Sequence, residues 1–225
     1  MPLLSVIVPV YNEAKTIRQI LEKINSIAID KEIVVVDDGS SDGTERILMD
    51  IKIDNLKIIH HTSNRGKGAA LLTGFANAAG DFLIIQDADL EYDPDDYTRL
   101  MQAMRENNVD IVAGARFAQG YHGLFIHRLG NRMLSWFLNF LFSTKFNDYA
   151  TCYKLIRRDV LPVLDLKATG FDIDVEIVCN AVKKKLRIME IPVSYNPRSY
   201  SQGKKIRFKD ALWAAFYMIK YRLAV

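Results

Sequence analysis

The 225-residue sequence predicts an α/β fold. Its centre is a single mainly parallel, mixed sheet flanked by helices, and amphipathic helices follow in the C-terminal half. Three observations carry this. β-rich runs alternate with helix-periodic segments through residues 1–116, at the spacing of βα units. These runs are almost wholly apolar rather than alternating, as in strands covered on both faces. Polar clusters follow at their carboxyl ends, where open parallel sheets bind ligands.

"LLSVIVPVY" (3–11) reads as the first strand, and residues 13–28 as a helix through the spacing of Ile17, Ile20, Leu21 and Ile24. "EIVVVDD" (32–38) is a second buried strand, and "SSDGTERILMDI" opens on capping residues and continues as a helix. "LKIIHH" (56–61) is a third strand, followed by a helix of small residues over 66–79. "DFLIIQD" (81–87) is a fourth strand, Pro94 opens a helix over 94–106, and "VDIVAGAR" (109–116) is a fifth strand. Beyond it the pattern predicts helices at 124–142, 158–166, 174–185 and 208–222, with a strand at 186–195. With no linker between the halves, residues 1–225 parse as one domain, with a nucleotide-binding half (1–116) and an acceptor-side half (117–225).

Composition is that of a globular protein, 49% hydrophobic and 25% charged. The net charge of +3 conceals an asymmetry. Residues 1–112 carry 11 Lys/Arg against 19 Asp/Glu, and residues 113–225 carry 19 against 8. An acidic half suited to a cation thus precedes a basic half suited to phosphates or a membrane surface. The two cysteines, Cys152 and Cys179, form no CxxC or Cys/His cluster, which argues against a disulfide scaffold or zinc site and fits a reducing cytoplasm. "MPLLSVIVPVYNE" reads as a strand rather than a signal peptide. No apolar run reaches the roughly 18–20 residues that cross a bilayer, so any membrane association is peripheral.

The clusters "PVYNE" (9–13), "VDDGSSDGT" (36–44) and "QDADLE" (86–91) fall on one edge of the expected sheet. Asp87 and Asp89 flank one small residue, so their carboxylates can converge. Oxygen ligands without His or Cys suit Mg²⁺ or Mn²⁺, ions that bridge to a substrate's phosphates. On 124–142, Arg128, Arg132, Ser135 and Asn139 form one polar stripe on an otherwise apolar helix, as for a helix lying in a membrane interface with its arginines reaching lipid phosphate. The last helix mixes Trp213, Phe216 and Tyr217 with Arg207, Lys209, Lys220 and Arg222. A basic outer face on core helices, or an oligomer interface, is the alternative for both.

"PVYNE", "VVDDGSSDGT", "NRGKGAA", "GD…QDADLE" and "AGARF", in this order and spacing, resemble the family 2 inverting glycosyltransferases of the GT-A fold along the whole chain. "DYATCYKLIRRDVL", "GFDIDVE" and "YNPRSYSQGKKI" are similar to the branch of dolichyl-phosphate mannose and dolichyl-phosphate glucose synthases. The resemblance implies transfer of a hexose from a GDP- or UDP-linked sugar to a polyprenyl phosphate, at the cytoplasmic membrane face. It implies that Pro9, Tyr11 and Glu13 line the nucleotide pocket, with Asp37 or Asp38 on base or ribose and further contacts from Arg65 and Lys67. Asp87, with Ala88 beside it, would touch ribose or sugar. Asp89 would bind Mg²⁺ or Mn²⁺ with Glu91 as a further ligand, and Arg116 would face the phosphates. Arg198, Lys204 and Lys205 would come from a loop that closes over the donor. Asp174 would position the sugar, and Arg128, Arg132 and Ser135 would receive the acceptor phosphate.

Three alternatives stay open. An acceptor hydroxyl on a glycan would require a carboxylate base, for which Asp172, Asp174 and Glu176 are candidates. A nucleotidyltransferase would need a glycine in "VYNEAKTIRQ", and a non-catalytic membrane adapter would lack Asp87, Asp89 and Glu91. No nucleic-acid partner is expected; a homo-oligomer or a membrane-protein partner is open. The chain ends without the C-terminal membrane domain of some family members, which implies anchoring at the surface or through a partner. Cys152 stands where many members have Gly.

Overall fold

The computed structural model describes residues 4–117, 125–198 and 208–223. Seven strands form one sheet in the order β3-β2-β1-β4-β6-β5-β7. They are β1 (Leu4–Val10), β2 (Lys31–Asp37), β3 (Leu56–His60), β4 (Phe82–Ile85), β5 (Ile111–Ala115), β6 (Lys154–Arg157) and β7 (Ile188–Pro192). β6 runs antiparallel to both its neighbours, β4 and β5, and the other pairings are parallel. The sheet is therefore mixed, and one strand makes it so. The sequence pattern did not predict β6: four residues with a lysine and an arginine in them carry no period.

Helices α1 (Ile17–Ser26), α2 (Thr44–Met49), α3 (Lys67–Ala76) and α4 (Tyr97–Asn107) alternate with the first five strands. α1 buries Ile17, Ile20, Leu21 and Ile24, the stripe its spacing foretold. The small residues of α3 have a packing reason. A Cβ on Gly74 would stand 2.4 Å from Ile7 Cγ2, so only glycine lets this helix lie so close on β1. The region expected as a helix at 158–166 is a 3₁₀ turn (158–160) running into the single turn α6 (Leu161–Leu164).

α5 (Phe125–Phe142), α7 (Ile173–Lys183) and α8 (Phe208–Leu223) pack on one another around Leu138, Tyr149, Val175, Cys179, Met218 and Tyr221, a cluster separate from the core around the sheet. α5 and α8 leave apolar side chains in solvent: Leu129, Met133, Trp136 (68% exposed) and Phe140 on one, Leu212, Trp213 (56%), Phe216, Ile219 and Leu223 on the other. The four-residue stripe expected on α5 divides. Arg128 and Arg132 are exposed beside these apolar groups. Ser135 is buried and accepts from the Tyr149 amide at 3.4 Å, while Asn139 binds the turn at Thr144–Phe146. A helix that packs on one face cannot present all four residues to one ligand, so Ser135 belongs to the packing and not to the exposed arginine face.

Candidate active site

The loops after β1 and β2 are laced together. Asn12, at φ 55°, donates its amide to Ser40 Oγ and accepts from the Ser41 amide. The Glu13 amide donates to Thr44 Oγ1, and that of Ala14 to Asp42. Pro9 and Glu13 are half-buried on this rim and Tyr11 is exposed. Asp37 and Asp38 are buried, and their oxygens are directed to loops. Asp37 accepts from the Ser40 amide and faces His60 Nδ1. Asp38 accepts from the amides of Arg65 (2.9 Å) and Gly66 (2.7 Å) and from His61 Nδ1 (2.7 Å). Gly66, at φ +96°, makes the turn that aims these amides. Asp38 thus holds the loop that launches α3, and α3 begins with Lys67.

Lys67 answers the charge problem of the acidic loop after β4. Its Nζ lies 2.9 Å from Asp87 and 3.5 Å from Asp174. The other Asp174 oxygen takes Lys154 Nζ at 3.1 Å. A chain of alternating charge, Asp87–Lys67–Asp174–Lys154, half-buried along its length and fully buried at Lys154, therefore joins the loop after β4 to α3, α7 and β6. Burial alone would drive the Lys67 pKa down, but Asp174 and Asp87 hold it well above its ordinary value. Burial would raise Asp174, and Lys154 and Lys67 together bring it below the usual carboxylate value. The Cys152 thiol, at the position where many family members have Gly, is buried, and that burial with Asp87 nearby pushes its pKa well up. Lys154 escaped sequence reasoning because a lysine in "CYKLIRR" looks like a solvated charge, yet it is 0% exposed.

Ala88 is buried between Asp87 and Asp89. Asp89 accepts the Glu91 amide on one oxygen (3.1 Å) and Arg198 on the other (2.9 Å). Burial, with Asp87 and Glu91 close by, raises its pKa to about 7 despite Arg198. Glu91 accepts from Tyr195 Oη and the Arg198 amide, both at 2.8 Å. Tyr92, at the loop's end, stacks on Tyr153 at 4.8 Å, which fixes the loop on β6. Among the described residues no three His, Cys, Asp or Glu side chains converge as a ready metal cage. Two crowded carboxylates, one with a raised pKa, instead suit a hard divalent ion that completes its shell with water and phosphate.

Arg116 ends β5 in a bidentate pair with buried Asp148 (2.7 Å from both Nε and Nη2) and reaches Asn131 of α5. Asp148 opens the stretch "DYATCYKLIRRDVL", but no role was expected of it. The acids of "GFDIDVE" have separate tasks. Asp172 accepts from Tyr221 Oη of α8, Asp174 takes the two lysines, and Glu176 accepts the amides of Lys167 and Ala168. Lys204 and Lys205 lie outside the described residues.

The family model for glycosyl transferase family 2 matches residues 5–164, from β1 through α6. The chain belongs to glycosyl transferase family 2. Among related proteins, polyprenol monophosphomannose synthase of Mycolicibacterium smegmatis is 29% identical over 92% of this chain and 85% of its own length. Dolichol-phosphate mannosyltransferase of Pyrococcus furiosus is 27% identical over 89% of this chain and 58% of its own length. In fold, the chain is similar to glucosyl-3-phosphoglycerate synthase of Mycobacterium tuberculosis, solved with Mn²⁺, UDP and phosphoglyceric acid. That match has a TM-score of 0.74 and 15% identity, and covers 100% of this chain and 80% of the other. The single mixed sheet flanked by helices is that of the GT-A fold.

Proposed function

We propose that this glycosyltransferase moves a hexose, with inversion, from a GDP-mannose- or UDP-glucose-type donor to the phosphate of a polyprenyl phosphate at a membrane surface. One observation carries the choice of acceptor: both oxygens of Asp174 are held by lysines, half-buried Lys67 and fully buried Lys154. A hydroxyl acceptor needs a base that takes its proton. Asp174, depressed in pKa and locked between Lys67 and Lys154, is unfit for that work, and Asp172 is engaged by Tyr221. A phosphate acceptor is already anionic near neutral pH and needs no base. The names of the Mycolicibacterium and Pyrococcus relatives agree with this acceptor.

What such a reaction does need is relief of repulsion between an anionic acceptor and a nucleotide diphosphate. Lys67 and Arg198 supply positive charge on the donor side, with Lys204 and Lys205 following in the sequence. A Mg²⁺ or Mn²⁺ ion held by Asp89 and Glu91 would neutralise the diphosphate and stabilise it as a leaving group. Pro9, Tyr11 and Glu13 form the nucleotide rim, and Asp87, held by Lys67, faces ribose or sugar. Arg116 and Asp148 tie the end of β5 to α5, so the acceptor-side helix is registered on the sheet that carries the donor.

No described helix is long and apolar enough to cross a membrane. The exposed aromatic and aliphatic rows of α5 and α8, with Arg128, Arg132, Lys220 and Arg222, have the composition of helices that lie in the headgroup region. Arg128 and Arg132 then stand at the depth of a lipid phosphate.

The test is transfer from radiolabelled GDP- and UDP-sugars to a short polyprenyl phosphate in detergent, with Mn²⁺ or with EDTA. Metal-dependent label in the lipid fraction is expected, from one donor of the panel. Label absent from lipid but present on an added glycan would overturn the acceptor assignment and require another base than Asp174.

A further inference from the structure

We propose that Arg198 is a resident cation of the metal position, and that the donor diphosphate draws it away, so that metal binding is conditional on nucleotide. The inference rests on the assignment of Asp89 and Glu91 as metal ligands. Its basis is how completely residues 195–198 engage those two side chains. The Arg198 guanidinium bridges Glu13 (3.1 and 3.3 Å) and Asp89 (2.9 Å), two carboxylates from the ends of different strands. Its main-chain amide and Tyr195 Oη take one Glu91 oxygen each. An antiparallel bridge between Tyr92 and Tyr195, and a bond from the Asn196 amide to the Glu91 carbonyl (2.8 Å), lay this segment along the acidic loop. With the Glu91 amide on the remaining Asp89 oxygen, all four oxygens of the Asp89–Glu91 pair have a donor.

A divalent ion and a guanidinium on the same Asp89 oxygen would repel strongly at this depth, where the charges are poorly screened. The ion therefore enters only as Arg198 leaves. The side chain carries a mark of its second destination: Nε is buried and has no acceptor. A buried donor left unpaired is unfavourable, and the planar fork of Nε and Nη is shaped for two oxygens of one phosphate. The diphosphate offers those oxygens, satisfies Nε, and leaves Asp89 to the metal. Nucleotide and metal then bind with positive coupling that runs through one arginine, in addition to their direct contact.

Binding of Mn²⁺ alone, followed by the electron paramagnetic resonance signal of the free ion, tests this without turnover. Arg198→Ala is expected to bind Mn²⁺ alone about tenfold tighter than the wild type, the equivalent of releasing one charge-assisted hydrogen bond. The enhancement of Mn²⁺ binding by GDP or UDP should shrink by a similar factor in the variant. Arg198→Lys, which keeps the charge but not the fork, should fall between the two. Equal or weaker Mn²⁺ binding by Arg198→Ala, with circular dichroism showing a folded protein, would overturn the proposal while leaving the metal ligands standing. If no protein binds Mn²⁺ even with GDP or UDP, or if Asp89→Asn binds it as the wild type does, the metal assignment fails and the arginine's role fails with it.

Discussion

The rim at the ends of β1, β2 and β4 and the paired helices α5 and α8 solve opposite problems. On the rim, Asp38, Asp87, Asp89 and Glu91 each meet specific donors at hydrogen-bond distance, and the aromatic stack of Tyr92 on Tyr153 stiffens the loop beneath them. On α5 and α8, large apolar side chains stand in solvent and meet neighbours on their own helix, as Trp136 meets Phe140 and Trp213 meets Phe216. Directional bonds place a small polar ligand to a fraction of an ångström, as transfer between two anions demands. Burial of apolar surface has no direction and tolerates a fluid partner. Under the proposed function, the rim serves position and the paired helices serve attachment.

The largest expected effect breaks the rim. Asp89→Asn should lower turnover about a thousandfold, because it removes the charge proposed to hold the diphosphate's counter-ion. Thermal melting should stay near the wild-type value, since the lost carboxylate is crowded by Asp87 and Glu91. Retained metal-dependent transfer would refute the assignment of Asp89.

Next comes the chain of alternating charge behind the rim. Lys154→Met leaves half-buried Asp174 with one lysine and should cost about 3 kcal/mol, the low end of the scale for half of a buried ion pair. That lowers the melting temperature by about 10 °C in a chain of this size. Adding Asp174→Asn should restore much of the loss. A Lys154→Met protein that melts like the wild type would place Lys154 outside the network.

The helices provide the contrast. Replacing Trp136 and Trp213 by Ser should weaken binding to anionic lipid vesicles about a hundredfold, measured by flotation, from the loss of two aromatic side chains' burial. Mn²⁺-nucleotide binding should be unchanged. If both fall together, the two regions are not separable in the way described.

The smallest effect concerns acid. Asp174 is held below the ordinary aspartate value of 3.8, so the folded protein keeps it ionised where the unfolded chain takes up a proton. Its stabilisation is therefore complete above about pH 4 and is lost as the pH falls through the lower folded value. Asp174→Asn should flatten the fall of melting temperature across that acidic range.

The two regions also differ in how far the sequence revealed them. β1, β2, β4, β5 and α1 were legible because burial imprints a local pattern: an apolar run for a strand covered on both faces, Ile17–Ile20–Leu21–Ile24 for a helix seated on one. The acidic and glycine clusters were legible because strand ends force them onto one edge. The residues that decide chemistry from afar were not. β6 has four residues and no period, and only its seat between β4 and β5 makes it a strand and buries Lys154. The exposure of Arg132 and the burial of Ser135, three residues on, depend on which face of α5 meets α7 and α8. Arg198 stands 185 positions from the Glu13 carboxylate it binds.

The sequence by itself determined the family, the parallel half of the sheet and the cluster of carboxylates, because each is written in neighbouring residues or in motifs of fixed spacing. Only the tertiary structure decided which cation each carboxylate keeps. That choice depends on burial and on distances between segments far apart in the chain, and an ion pair leaves no trace in the local pattern of either partner.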